Sequence, residues 1–488
     1  MMKLSEILAG TGLVIPAGKE DILVKGICCD SREAVPGGMF VAIRGYAADG
    51  HRYIGNALEK GAAVIVCESD EGLADCPATV IKSPDTREAL AVMASNFYGR
   101  PSEKLTLVGI TGTNGKTTTV TLLYNLFRNL GYNCGLLSTI ANYVGTRRME
   151  TENTTADPVT INRLMAEMVE EGCEYCFMEV SSIGMEQKRV FALDFNVGIF
   201  SNLTHDHLDY HKTFAEYLRC KKLFFDSLPK GSFAIINADD RNAGVMVQNT
   251  AAKVVTYACK TSADHTCRVM EESFDGMMLR IDGKEVWTRL IGLHNAYNLL
   301  AIYTTAVCLG VSEDEALVSV SRLESAPGRL QAVSGPRNLT AIIDYAHTPD
   351  ALENVLKTLR DVASGKQLVC VFGCGGDRDR TKRPEMGAVA EKYADRIVIT
   401  SDNSRSESTE AIMEEIAGGL SRAGMAKTIM VADRRQAIRT ALLTSPDGSA
   451  VLIAGKGHEN YQIIGSEKLP FDEKAIVEEI FESMKNND

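Results

Sequence analysis

Leu105-Thr-Leu-Val-Gly-Ile-Thr-Gly-Thr-Asn-Gly-Lys-Thr-Thr118 decides the fold of this chain. Leu105 to Ile110 reads as a buried strand, and Thr117 to Leu130 as a helix with apolar residues every three or four positions. Between them Gly112 and Gly115 allow a backbone nest whose N–H groups point at phosphate oxygens. Lys116 adds a mobile charge and Thr117 a hydroxyl suited to a magnesium ion. The strict P-loop spacing would need glycine at 110, where isoleucine stands, so the loop is a relative of that motif. A plain glycine turn does not explain Gly-Lys-Thr at a helix start, and the stretch predicts ATP or GTP bound by Gly112, Thr113, Asn114, Gly115, Lys116, Thr117 and Thr118.

The pattern continues outward. Short apolar runs at Met39–Ile43, Ala63–Val66, Ala341–Ile343, Gln367–Phe372 and Ala450–Ile453 alternate with helical periodicity at Pro158–Glu171, Asn295–Leu309, Ala351–Val362 and Glu410–Arg422. This predicts α/β domains with mostly parallel sheets, the central one of P-loop ATPase type and the last Rossmann-like. At roughly 150 residues per domain, 488 residues imply about three. Gly99-Arg-Pro101 and Ala326-Pro-Gly328 punctuate the chain into blocks 1–103, 104–330 and 331–488.

Lys plus Arg total 52 against 64 Asp plus Glu, a net charge of -12 that argues against a nucleic-acid or membrane-surface partner. Thirteen scattered cysteines predict reduced thiols in a cytoplasm. Met1 to Ala17 lacks the apolar core and cleavage site of a secretory signal, and no run reaches about 18 apolar residues. Cys173 and Cys176 have CxxC spacing without a second pair or nearby histidines, so they read as packing thiols.

Thr204-His-Asp-His-Leu-Asp-Tyr-His211 concentrates three of the eight histidines after a strand-like run at Val197–Asn202. One reading is a zinc hydrolase using His205, His207 and His211, although Tyr210 stands where a ligand run would continue with histidine. The other is a contribution to a magnesium site beside Glu179, at the end of Tyr175–Val180. In the last block, Asp344–Pro349, Gly373–Asp379, Ser401–Arg405 and Gly455–Glu459 all follow apolar strands and converge on one sheet edge. Arg378 and Arg405 can fork onto carboxylates and Glu459 can hold an ammonium, which suggests a zwitterion such as an amino acid. An ATP site plus an amino-acid site suggests carboxylate activation followed by attack of an amine.

At this point the residues resemble the Mur ligases of bacterial cell-wall synthesis over essentially the whole chain, most closely the MurE type. The resemblance is carried by Asp30-Ser-Arg32, Phe40-Val-Ala42, Asp49-Gly-His51, Thr111–Thr118, Asn153-Thr-Thr155 and Met178–Ser182. It continues through Asp206–His211, Asn295–Asn298, Pro327-Gly-Arg329, Asp344–Asp350, Gly373–Pro384 and Gly455–Glu459. It implies a cytoplasmic, magnesium-dependent enzyme, expected to be monomeric and tied through peptidoglycan synthesis to cell shape and division. ATP would drive addition of meso-diaminopimelate to UDP-MurNAc-L-Ala-D-Glu through an acyl phosphate.

The resemblance also places residues. Ser31, Tyr46, Ala47 and Ala48 would lie along the UDP end of the substrate, and Asn153, Thr154, Thr155, Ser181, Gln187 and Arg189 along its muramyl-peptide. Thr117, Glu179, His207 and a carbamylated Lys221 would serve magnesium, with Lys116 in the catalytic set and Lys222 a bystander. Asn295, Arg329, Asp344 and His347 would complete the ATP site; Arg378, Asp402, Asn403, Ser404, Arg405, Gly455 and Glu459 would hold the amino acid. The diaminopimelate enzymes carry Asp-Asn-Pro-Arg where this chain has Asp402-Asn-Ser-Arg405; the arginine that reads a distal carboxylate is kept and the proline is not. Ile183 stands where the family usually has histidine. L-lysine as the amino acid, a folylpolyglutamate synthase and a non-catalytic nucleotide switch are the remaining rivals. Phosphate and amino-acid loops in different blocks imply domain closure.

Overall fold

The computed structural model describes all residues except 46, 47, 152, 205–207, 364 and 486–488, and leaves out the side chains of 208 and 209. The chain forms two compact units, one of Met1–His265 with Ala301–Ser312 and one of Thr266–Leu300 with Glu313–Asp488.

The first unit opens with a four-stranded parallel sheet, Ile27–Cys28, Met39–Val41, Val64–Cys67 and Thr79–Lys82, in chain order. Its covering helix Thr86–Phe97 starts where the Asp85 carboxylate accepts from the Arg87 and Glu88 N–H groups. The larger sheet carries Cys134–Leu137, Tyr175–Glu179, Thr106–Thr111, Val197–Phe200, Phe233–Asn237 and Lys253–Ala258 as parallel neighbours in that order. Strands covered on both faces must be apolar throughout, which is why these runs show no alternation. Thr106–Thr111 lies near the centre of that set, and the chain passes from Tyr175–Glu179 on one side of it to Val197–Phe200 on the other, the kind of switch point at whose carboxyl edge open α/β sheets bind ligands. Lys188, at φ 55°, straps this sheet's loops to the first: its Nζ lies 2.7 Å from Asp85 and 2.5 Å from Glu88. Arg87 reaches Glu186 at 3.7 Å, and the Tyr210 hydroxyl donates to Glu186 at 2.7 Å.

The second unit contains an antiparallel meander ending in Gly276–Ile281 and Lys284–Thr288, and a six-stranded sheet. The latter runs Gln331–Ser334, Thr340–Asp344, Ala450–Ala454, Leu368–Phe372, Arg396–Thr400 and Thr428–Val431, parallel except for its first strand. The α/β reading therefore holds, with strand ends shifted by one or two residues. The helix expected over Glu410–Arg422 is corrected: it ends at Ala417, and a separate helix starts at Arg422. The reason is packing, since a Cβ on Gly419 would lie 1.9 Å from the Pro384 carbonyl oxygen. All thirteen cysteines are free thiols, and burial raises the pKa of both Cys173 and Cys176, as packing thiols require. Among the described residues no helix is long and apolar enough to cross a membrane.

One buried ion pair ties the six-stranded sheet together. Arg434 and Glu473 are both fully buried, with Nε donating to Oε1 at 2.7 Å. The same guanidinium donates to the carbonyls of Ser401, at 3.0 Å, and Ala454, at 2.8 Å, just past one strand and at the end of another. Burial pushes the Glu473 carboxyl up despite Arg434 beside it. Arg434→Met leaves that carboxylate without its partner and is expected to cost about 3–5 kcal/mol in denaturant unfolding, whereas the double change Arg434→Met, Glu473→Leu should cost much less.

Candidate active site

The phosphate loop is built by packing against the next strand. Gly112, at φ 151°, has no room for a side chain: a Cβ would sit 1.9 Å from Ser201 Oγ. Ser201 Oγ donates to the Asn114 carbonyl at 2.7 Å, and Asn202 brackets the same residue, accepting from its N–H at 3.0 Å and donating to its carbonyl at 3.2 Å. Gly115, at φ 88°, turns the chain into the helix Lys116–Asn129. Lys116 Nζ curls onto the loop, donating at 2.9 Å to the carbonyls of Gly112 and Thr113.

Acidic and basic groups meet below this loop. Thr117 Oγ1 donates to Glu179 Oε2 at 3.0 Å, and the other Glu179 oxygen accepts from the Thr139 N–H at 2.8 Å. Glu179 ends its strand at 1% exposure, so its oxygens are held for a purpose the core does not need. Lys221 is equally buried and donates to the Gly112 carbonyl at 2.7 Å. It lies one helical turn after Tyr217, whose ring is 4.8 Å from its ammonium and whose hydroxyl is 3.0 Å from Thr113 Oγ1. Lys222 pairs with Asp226 at 2.5 Å on the same helix. The sequence thus brings Lys116, Thr117, Glu179 and Lys221 to one place.

His205 and His207 lie outside the described residues, as do Tyr46 and Ala47. His211 is buried, and its Nε2 lies 2.9 Å from Ser182 Oγ, so a histidine does reach the serine pair, from a different helix than the one carrying Ile183. Ser31 is buried beside its Asp30 cap, and the Ala48 carbonyl accepts from the Gly45 N–H. Of the residues expected along the peptide, Thr155, Ser181, Gln187 and Arg189 form one network. Arg189 donates to the Thr155 carbonyl at 2.6 Å and to Gln187 Oε1 at 2.8 Å; Thr155 Oγ1 donates to the Glu179 carbonyl at 2.9 Å and accepts from the Ser181 N–H. Burial pulls the Arg189 guanidinium below its usual range. Thr154 Oγ1 accepts from Thr139 at 3.1 Å, and Asn153 is exposed.

In the second unit the four polar loops follow the carboxyl ends of Thr340–Asp344, Leu368–Phe372, Arg396–Thr400 and Ala450–Ala454. Asp344 accepts from the N–H groups of Leu330 and Ala346, and burial raises its carboxyl against the pull of Arg329. Arg329 lies over the Tyr345 ring at 5.0 Å, and His347 Nδ1 donates to the Tyr345 carbonyl at 2.8 Å. Asn295 is buried and bonded to the Ile291 carbonyl.

Arg378 and Arg405 flank Gly375. Arg405 stands at φ 51° and donates from NH1 to the Gly376 carbonyl at 2.9 Å. In this turn without proline, Ser404 is buried, and the Arg405 N–H donates to the Ile463 carbonyl at 3.3 Å while the Arg405 carbonyl accepts from the Gly465 N–H at 2.9 Å. Asp402, Asn403 and Glu459 gather around Lys456, with Gly455 packed against Asp402. Sequence reasoning missed Ser201, Asn202, Arg434 and Lys456 as site-building residues; Lys456 lies inside a quoted motif, and Asn202 at the end of a recognised strand.

A strand, a glycine-rich loop and a helix with a buried acid beneath them define a nucleotide-binding enzyme domain of P-loop type. Residues 23–98 match the Mur ligase family catalytic domain, 110–306 the Mur ligase middle domain and 328–457 the Mur ligase glutamate ligase domain. The chain belongs to the Mur ligase family. It is 47% identical over 486 residues to the UDP-N-acetylmuramoyl-L-alanyl-D-glutamate--2,6-diaminopimelate ligase of Cytophaga hutchinsonii, covering 99% of this chain and 100% of that one. The ligase of the same name from Bacteroides fragilis is 48% identical over 481 residues, 98% and 99% of the two chains. A solved structure titled as that ligase superposes with a TM-score of 0.73 at 31% identity, over 99% of both chains. Folylpolyglutamate synthase from Thermotoga maritima shares the fold, with a TM-score of 0.61 at 14% identity over 76% of this chain and 90% of its own.

Gly112→Ala forces a methyl group into Ser201 and displaces the loop. The expected result is at least a tenfold rise in the KM for ATP with the fold retained, read by steady-state kinetics and circular dichroism.

Proposed function

We propose that this chain is the ATP-dependent amide ligase that adds meso-diaminopimelate to UDP-MurNAc-L-Ala-D-Glu, converting ATP to ADP and phosphate. The observation that carries the reading is end-to-end identity near one half with ligases so named, in a chain whose phosphate loop keeps a buried acid and lysine beneath it. The three blocks read from the sequence then take one substrate each: UDP-sugar peptide, ATP and amino acid.

In this reading the acceptor carboxylate attacks the γ-phosphate, and the amine displaces phosphate from the acyl phosphate. Lys116 exchanges its loop carbonyls for phosphate oxygens, and the nest of Gly112 to Gly115 holds them in line. Arg189 orients the acceptor peptide, helped by Thr155 and Gln187.

Magnesium fits the donor set, because Thr117 Oγ1 and Glu179 Oε2 are hard oxygens 3.0 Å apart beside the phosphate loop. Thr117, Glu179, His207 and Lys221 as a carbamate would hold it; bound there, it supplies positive charge at the transferring phosphoryl group. Carbamylation of Lys221 would exchange a cation for an anionic oxygen ligand suited to magnesium.

Arg405 favours diaminopimelate over L-lysine, because its guanidinium can fork onto a second carboxylate that lysine lacks. A ligation assay offering both amino acids with the UDP-MurNAc-dipeptide is expected to consume diaminopimelate preferentially; preferential lysine incorporation overturns the choice. Separately, Lys221→Ala should abolish ligation and recover part of it with short carboxylic acids added, whereas Lys222→Ala should stay near the native rate.

A further inference from the structure

Lys456 is fully buried, and a lysine ammonium is kept from water only where its partners replace hydration. Four oxygens surround it: Asn403 Oδ1 and the Tyr461 carbonyl, each at 2.9 Å, Glu459 Oε2 at 3.3 Å and Asp402 Oδ1 at 3.4 Å. Asn403 Oδ1 also accepts from the Ile463 N–H at 2.8 Å. With two donors on that oxygen, the amide cannot be flipped, and its Nδ2 is directed at Glu459 Oε2, 3.0 Å away. Lys456 and the Ile463 N–H together settle which way Asn403 faces, and Lys456 and Asn403 both bond one Glu459 oxygen, Oε2, the described residues showing no hydrogen bond to Oε1.

The charges follow the same logic. Asp402 and Glu459 supply two negative charges and Lys456 one positive, so the cluster keeps a single net negative charge. Behind it, Arg434 is already matched by Glu473.

We propose that Lys456 is a positioning and specificity-determining residue of the amino-acid site, helping to fix Asn403 and leaving one net negative charge for an ammonium group at Glu459. The inference rests on the reading above that Asp402, Asn403 and Glu459 receive the amino acid. Lys456 does not itself touch the substrate; it acts through the side chains it holds.

The test uses the full chain with ATP, magnesium and UDP-MurNAc-dipeptide. Lys456→Met is expected to raise the KM for meso-diaminopimelate at least tenfold while the KM values for ATP and the dipeptide nucleotide stay within twofold. Lys456→Gln, which keeps a donor for Asn403 but no charge, is the companion variant for the case where the methionine form does not fold, and the same selective rise is expected. In Lys456→Ala, ethylammonium chloride should recover at least a third of the lost kcat/KM for diaminopimelate, and sodium chloride at equal strength should not. A folded variant with an unchanged diaminopimelate KM overturns the proposal, and so does a parallel rise in all three KM values. Failure of the underlying reading looks different: the native enzyme would then show no saturable dependence on diaminopimelate at all.

Discussion

A parallel strand covered on both faces can offer its chemistry only where it ends. That constraint arranges this molecule. In the first unit Thr106–Thr111 ends in the phosphate loop, Tyr175–Glu179 in the buried acid, and Val197–Phe200 in the Ser201 and Asn202 that clamp the loop. In the second, Asp344, Asp402 and Gly455 occupy equivalent places on a different sheet. Side chains far apart in sequence meet because hydrogen-bonded neighbours in a parallel sheet finish at the same level.

The two sheet ends handle charge differently. Below the phosphate loop, Glu179 accepts from the Thr117 hydroxyl and the Thr139 N–H, and Lys221 donates to the Gly112 carbonyl. At the second sheet end the charges are already matched with one another, Arg434 with Glu473 and Lys456 with Asp402 and Glu459. Burying a charge is costly unless it is paired and hydrogen-bonded, so these positions are held to narrow geometry. The Arg434 contacts to the Ser401 and Ala454 carbonyls carry that rigidity into the loops.

Much of this was legible in the sequence, and the failures have physical causes. Buried parallel strands read as unbroken apolar runs, so Leu368–Phe372 and Ala450–Ala454 could be found within a residue. The phosphate loop declares itself because its conformation demands glycine at fixed places. The helix break at Gly418-Gly419 was hidden, since apolar residues on both sides kept a helical period while the true signal was a close approach to Pro384. The clamp of Asn202 on Asn114 spans 88 residues and has no local signature. Lys456 stood in plain view within Gly455–Glu459, yet nothing in a sequence says that a lysine is buried.

The strap between the two sheets of the first unit has one more consequence. Lys188 grips the capping end of Thr86–Phe97, and the next residue, Arg189, holds Thr155. The two sheets are therefore joined through neighbouring residues of one turn, so a displacement of that helix would be passed through Thr155 to the strand end at Glu179, whose carbonyl the Thr155 hydroxyl holds.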